Sequence, residues 1–382
     1  MRLTLMAMAA LNSGFWILDS GFPESWPHAQ SAIEERFDRA VGLQKQGSFK
    51  EAEAEYRAIL VESPNYAEAH ANLAAVLIRM DRYEEAVLEY QTALRLAPQL
   101  TPVLLNLGIA HYRKGEFEKA VDAFRRFLDR SPENLQAMQL MGLSLLEMGR
   151  EEEAVSLLQQ AVSAGSDDPA ALYGLGLACL RLQKPGVPAL IERLANTPKG
   201  AAASHLLRGQ SLLSRGEFEK AIVELELAAG LNADLPRLQY SLGLCYFKIG
   251  RTAEAVTAFG AELKRAPRDF SSLYYLAYLR EEEGNLDAAR SRLEAALALE
   301  PDSAEANALL GKILVKQGKA AEAVKPLEAA VAKDPEDGEK RYQLARLYQQ
   351  LGRSEEAARE FTESQRLKAE RLQQDRERIP KP

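Results

Sequence analysis

The feature that most constrains this chain is a register that returns every 34 residues. A turn-type position recurs at Gly47, Asp81, Gly115, Gly149, Gln183, Gly216, Gly250, Gly284, Gly318 and Gly352. Eight of the nine intervals are 34 residues and one, Gln183 to Gly216, is 33. Five positions after the turn stands an alanine in nine of the ten units, from Ala52 through Ala120 to Ala357. Four further on comes a large apolar residue: Tyr56, Tyr90, Phe124, Leu158, Leu225, Phe259, Leu293, Leu327 and Phe361. Proline closes six units, at Pro64, Pro98, Pro132, Pro267, Pro301 and Pro335. A fixed period of this length means stacked copies of one supersecondary unit.

Each unit reads as helix, turn, helix. Apolar residues three and four apart paint one face of each helix, as in Leu104, Leu107, Gly108 and His111, then Ala120, Phe124, Phe127 and Leu128. Small residues sit where the first helix crosses the second: Ala74, Gly108, Gly142, Gly176, Gly209, Gly243, Ala277, Gly311 and Ala345. They let two axes approach to roughly 8–10 Å. Composition agrees, with 47% hydrophobic residues but only 7% aromatic ones, a balance rich in helix formers.

The stretch LLNLGIAHYRKGEFEKAVDAFRRFLDRSP, residues 104–132, resembles the tetratricopeptide repeat, with its LG, its glycine–x–aromatic, its alanine, its phenylalanine and its proline. The resemblance covers about 33–366. It implies an all-α fold: a right-handed α-solenoid superhelix of about ten tandem repeats with a C-terminal capping helix. It also implies a non-enzymatic scaffold that binds partner proteins.

The expected organisation is an N-terminal segment 1–32, repeats one to five over 33–182, a degenerate hinge at 183–200, repeats six to ten over 201–366, and a polar cap over 367–382. The hinge rests on Pro185 and Pro188, which fall where a second helix should run, and on the lost residue of register. Proline inside a helix costs about 3 kcal/mol, so that helix should start near Pro188 and be short. The opening MRLTLMAMAALNSGFWIL reads two ways. As a signal peptide ending near Ala29 it makes the chain an exported or periplasmic envelope-assembly or secretion factor; as a docked apolar extension it leaves the chain cytoplasmic. Any membrane association would come through this segment if it stays uncleaved.

In the family arrangement first helices line a concave face. The positions not used for packing there are markedly apolar. They predict a groove for a partner with apolar anchors, formed by Leu105, Ile109, Tyr112, Tyr173, Leu177, Tyr240, Leu244, Phe247, Tyr274 and Tyr278. Leu143, Leu146 and Leu180 continue the same strip. Asn72 and Asn106 occupy the place of the asparagine in the family's carboxylate clamp, but no lysine or arginine flanks them. Both are candidates to bond a ligand backbone, and the ladder lapses at Leu140 and Gly174. Lys312, Lys316, Arg341 and Arg346 form a mildly basic patch at the other end.

No cofactor, metal or nucleic-acid partner is expected. With 48 basic and 55 acidic residues the net charge is −7, which offers no general attraction to nucleic acid. His28, His70, His111 and His205 lack metal-ligand spacing, and Cys179 and Cys245 sit among apolar residues mid-helix. No phosphate loop or nucleophile motif occurs. The partner is a protein or peptide segment.

Overall fold

All ten turn positions picked out by the period carry a positive φ. Eight are glycines, and Asp81 (58°) and Gln183 (53°) adopt the same left-handed conformation. This is the helix ending in which one residue reverses hand, so that later amides can cap the last carbonyls. The amide after each turn donates to the carbonyl five residues back, as Glu116 does to His111 at 2.9 Å and Lys319 to Leu314 at 2.9 Å. The period is therefore a period of helix stops.

The computed structural model describes residues 27–378, and their side chains from 32 to 374. The two readings of the opening segment lie outside these residues. The described residues hold twenty helices and no strand. They pair as Pro27–Lys45 with Phe49–Glu62, Ala67–Arg79 with Tyr83–Leu96, Thr101–Lys114 with Phe117–Leu128, Leu135–Glu147 with Glu151–Ser163, and Pro169–Arg181 with Val187–Ala195. The remaining pairs are Ala201–Ser214 with Phe218–Leu231, Leu238–Lys248 with Thr252–Arg265, Phe270–Glu282 with Leu286–Leu297, Ala304–Lys316 with Ala320–Lys333, and Gly338–Gln350 with Ser354–Arg378. Two compact units result, one ending at Pro236 and the other beginning at Arg237. Each is an all-α solenoid in which a helix packs on its sequence neighbours. No helix among the described residues is long and apolar enough to cross a membrane.

The core of each repeat is a large side chain seated on a small one. A Cβ placed on Gly108 would come within 2.5 Å of the Phe124 ring, and one on Gly243 within 2.8 Å of Phe259. Gly142 and Gly209 hold Leu158 and Leu225 in the same way. The large residues, from Tyr56 to Leu327, are fully buried.

The fifth repeat departs from this scheme as its prolines require. Its second helix is the short Val187–Ala195, with Pro188 in the tolerated first turn. Leu207 of the sixth repeat seats on Gly176 instead. The boundary between the two compact units falls at Pro236/Arg237, downstream of the expected hinge at 183–200. Residues 183–200 lie inside the first unit because Val187, Ile191 and Leu194 are buried there. Arg193 also ties the helix to the fourth repeat, donating to the carbonyls of Val162 at 3.2 Å and Ser166 at 2.9 Å. At the other end Ser354–Arg378 is a single helix of 25 residues. Leu367 packs down and Ser364 donates to the Gly338 carbonyl at 2.6 Å.

A polar staple also repeats. Eleven residues before the turn stand Arg36, His70, His205 and Arg341; eight after it stand Glu55, Glu89, Glu224 and Glu360. Each cation or imidazole faces its glutamate, from 2.5 Å for His70 to 3.6 Å for Arg36. His70 and Arg341 also reach back 2.8 Å to the carbonyls of Pro64 and Pro335, so one side chain ties both helices of a unit to the preceding turn.

Both neighbours of the His70 ring are acceptors, so both ring nitrogens must carry hydrogen to satisfy them. Burial opposes that charge, but Glu89 and the Pro64 carbonyl outweigh it and hold the pKa above the ordinary 6.5. His111 is the reverse case: burial dominates, Glu116 compensates only in part, and the pKa falls below 6.5. Stability from His70 is therefore complete below the unfolded value and fades as pH rises through its folded one. Stability from His111 is present above the unfolded value and fades as pH falls through its folded one. An NMR titration of the imidazole Cε1 protons should place the His70 midpoint above 6.5 and that of His111 below it. The reverse order would refute these environments.

Candidate functional site

The two units treat their first-helix faces differently. In the first unit Asn72, Leu105, Asn106, Ile109, Tyr112, Tyr173 and Leu177 are all buried, none more than 8% exposed. The expectation that these seven present an open groove is corrected. Neighbouring first helices approach closely enough to use several of them internally. Leu143 lies 2.6 Å from the Cβ that Gly174 lacks, so it packs on bare backbone of the next repeat. The Tyr173 hydroxyl donates to Gln210 at 3.1 Å, one repeat on. Tyr112 sets its ring edge-on to Phe117 at 5.6 Å. Asn72 contacts the Tyr56 hydroxyl, which itself donates to the buried Gln44 at 2.8 Å.

In the second unit Tyr240, Leu244, Phe247, Tyr274 and Tyr278 are only half-buried. The aromatic members converge. Helix Leu238–Lys248 contributes Tyr240 and Phe247, and helix Phe270–Glu282 contributes Tyr274 and Tyr278. Phe247 meets Tyr278 edge-on at 5.6 Å and 90°. Between them lies Tyr275, 5.2 Å from Phe247, 6.3 Å from Tyr240 and 5.5 Å from Tyr274. Tyr275 also stacks on Phe259 of the second helix at 5.2 Å and 4°, which roots the cluster in the repeat core.

Tyr275 is the residue that sequence reasoning missed. It lies nine residues before Gly284, the register that holds Asn72 and Asn106 in their own repeats. Following that register past its lapse finds the residue.

Charge frames the cluster. Arg237, with φ of 60°, places its guanidinium 3.9 Å from the Tyr240 ring centroid and 3.4 Å from buried Asp269. Glu262, also buried, accepts from the Tyr240 amide at 3.3 Å and pairs with Arg265. Burial raises the pKa of the Tyr240, Tyr274 and Tyr275 hydroxyls, and a hydrogen bond with Glu282 raises that of Tyr278. All four are neutral phenols near pH 7, suited to donate hydrogen bonds and to pack, not to attack.

Of the basic patch, Lys312 (2.9 Å) and Lys316 both reach the buried Glu281 carboxylate. Arg341 is drawn away to Glu360 at 2.7 Å by the polar staple, which removes it from the patch. Among the described residues no group of three or more His, Cys, Asp or Glu side chains is placed to hold a metal ion.

Comparison with known proteins matches this repeat geometry. Residues 206–270, 240–291 and 274–338 match one tetratricopeptide-repeat family and 314–369 another. Residues 40–164 match the cilia and flagella-associated protein 70 middle TPR-like domain. A curated relative, the BBSome complex member BBS4 homolog of Drosophila melanogaster, is 29% identical over 126 residues, 33% of this chain. That match spans only 25% of the relative's own length. The APC/C hetero-tetramer Cut9–Hcn1 structure is similar over 82% of this chain and 62% of its own, with TM-score 0.56 and 17% identity, a likeness of fold. MamA from Desulfovibrio magneticus is 26% identical over 44% of this chain and 96% of its own, with TM-score 0.42. With ten left-handed helix stops at the family spacing and the repeat-family matches over 40–164 and 206–369, the chain belongs to the tetratricopeptide-repeat proteins.

Proposed function

We propose that the chain is a non-enzymatic protein-interaction scaffold whose second unit binds a partner segment carrying apolar anchors. The segment docks on the aromatic face formed by Tyr240, Leu244, Phe247, Tyr274, Tyr275 and Tyr278. One observation carries the reading: these side chains form a continuous, ring-on-ring surface left half-exposed, while the matching face of the first unit is closed. Clustered exposed apolar surface is a liability unless something covers it. Tyrosine is favoured where an apolar body must meet a partner and a hydroxyl must stay satisfied. The Drosophila relative is a member of the BBSome complex, and this supports an assembly role here.

The test is a Tyr274→Ala/Tyr278→Ala variant, checked for unchanged helical circular dichroism. Affinity for partners isolated with the wild-type chain should fall about 30-fold or more, the scale of losing interface anchors. Tyr→Phe at both sites should keep most of the binding. Equal affinity of wild type and the alanine variant would overturn the assignment.

A further inference from the structure

A second surface lies further along the same unit, between helices Ala304–Lys316 and Gly338–Gln350. We infer that this cleft binds an extended acidic peptide segment, resting on the scaffold reading above but using a site separate from the aromatic face. Three observations carry it. First, the cleft is cationic in a chain whose net charge is −7. Lys312 and Lys316 are 43% and 49% exposed, and Arg346 is exposed with no ion-pair partner among the described residues. Second, the lysines are positioned. Glu281, only 1% exposed, holds Lys312 on one oxygen and Lys316 on the other. One buried charge cannot neutralise two, and Glu339, the other carboxylate lining the cleft, is met by Lys368 at 3.4 Å, so a net positive charge stays aimed at solvent. Third, the cleft wall carries an unmet acceptor: Gln343 Oε1 is buried with no hydrogen-bond partner. A buried amide oxygen without a donor is costly, and a peptide N–H is the donor an extended chain supplies.

The floor is apolar. Val315 and Leu347 line it, and Tyr342 leans into it against Phe361 at 5.7 Å. Carboxylates for the cations, a backbone amide for Gln343 and one apolar side chain for the floor describe a short acidic peptide. A nucleic acid offers the charge without the backbone amide, and its long polyanion would also meet the acidic remainder of the surface.

The experiment uses the full chain and fluorescence anisotropy. The probes are a fluorescein-labelled twelve-residue Glu/Asp-rich peptide with one central leucine, its Gln/Asn and Lys-rich counterparts, and a single-stranded oligonucleotide of matched charge. The acidic peptide should bind about tenfold tighter than the neutral one at low salt, a gap that narrows as salt screens the exposed pairs. Lys316→Gln/Arg346→Gln should close that gap, and Arg346→Glu should shift preference toward a lysine-rich peptide. The Tyr274→Ala/Tyr278→Ala variant should bind the acidic peptide like wild type, so failure of the aromatic face and failure of the cleft are read separately. The inference is overturned if acidic and neutral peptides bind alike, if the double glutamine variant binds like wild type, or if the oligonucleotide competes equally well.

Discussion

Phe124→Ala should lower the stability of the first unit by about 3–5 kcal/mol, the usual cost of emptying a large aromatic site in a packed core. The ring is fully buried, with Gly108 of the preceding helix pressed against it. That contact makes a second substitution more telling than the first. Gly108→Ala should gain up to about 1 kcal/mol in helix propensity. In the wild-type background the new methyl would come 2.5 Å from the ring and force it aside. Overpacking of this kind costs about 1–3 kcal/mol, so the net effect should be destabilising. With Phe124 already replaced by alanine the clash is gone and the same change should stabilise. Denaturant unfolding followed by far-UV circular dichroism gives the cycle. Additivity within about 0.5 kcal/mol would show that glycine and ring are not the coupled pair described here.

Pro326→Ala should raise the stability of the second unit by about 2–3 kcal/mol, because an interior proline removes a helix hydrogen bond and crowds the preceding turn. Pro326 sits inside helix Ala320–Lys333, well past its first turn. The helix survives because Ala323, Leu327, Ala330 and Val331 are buried against its neighbours. Position 326 is also the place where four other repeats carry the glutamate of the polar staple. Its opposite number, Asn307, turns instead to the carbonyls of Pro301 at 2.8 Å and Ser303 at 2.9 Å. Alanine at 326 therefore breaks no ion pair. Thermal unfolding of the variant, with hydrogen exchange across 320–333, checks the claim. An unchanged or lowered midpoint would mean that restricting the unfolded chain outweighs the helix defect.

The repeat architecture was legible because each of its parts is local. A left-handed stop at the turn, a small residue under a large one, and a proline after the second helix act within one hairpin, and the chain writes them out in every unit. The short helix after Pro188 was readable for the same reason. Whether that poor helix bends between two blocks of repeats is not a local matter, since it depends on what packs over Val187, Ile191 and Leu194. Pro326 stands in plain view in the sequence, but that its helix runs on through it depends on the burial of Ala323, Leu327, Ala330 and Val331 against neighbouring helices.

The candidate site divides along the same line. Periodicity marks Leu105, Tyr173, Tyr240 and Tyr274 alike as first-helix residues not needed inside their own repeat. Only the tertiary structure decides that Leu105 and Tyr173 are enclosed, while Tyr240 and Tyr274 stay half-open and gather Tyr275 between them. Which face a side chain takes follows from 3.6 residues per turn and is carried by one helix alone. How much of that face remains exposed follows from how closely the next helices approach. That distance is set by side chains a full repeat or more away, where no single helix carries the information.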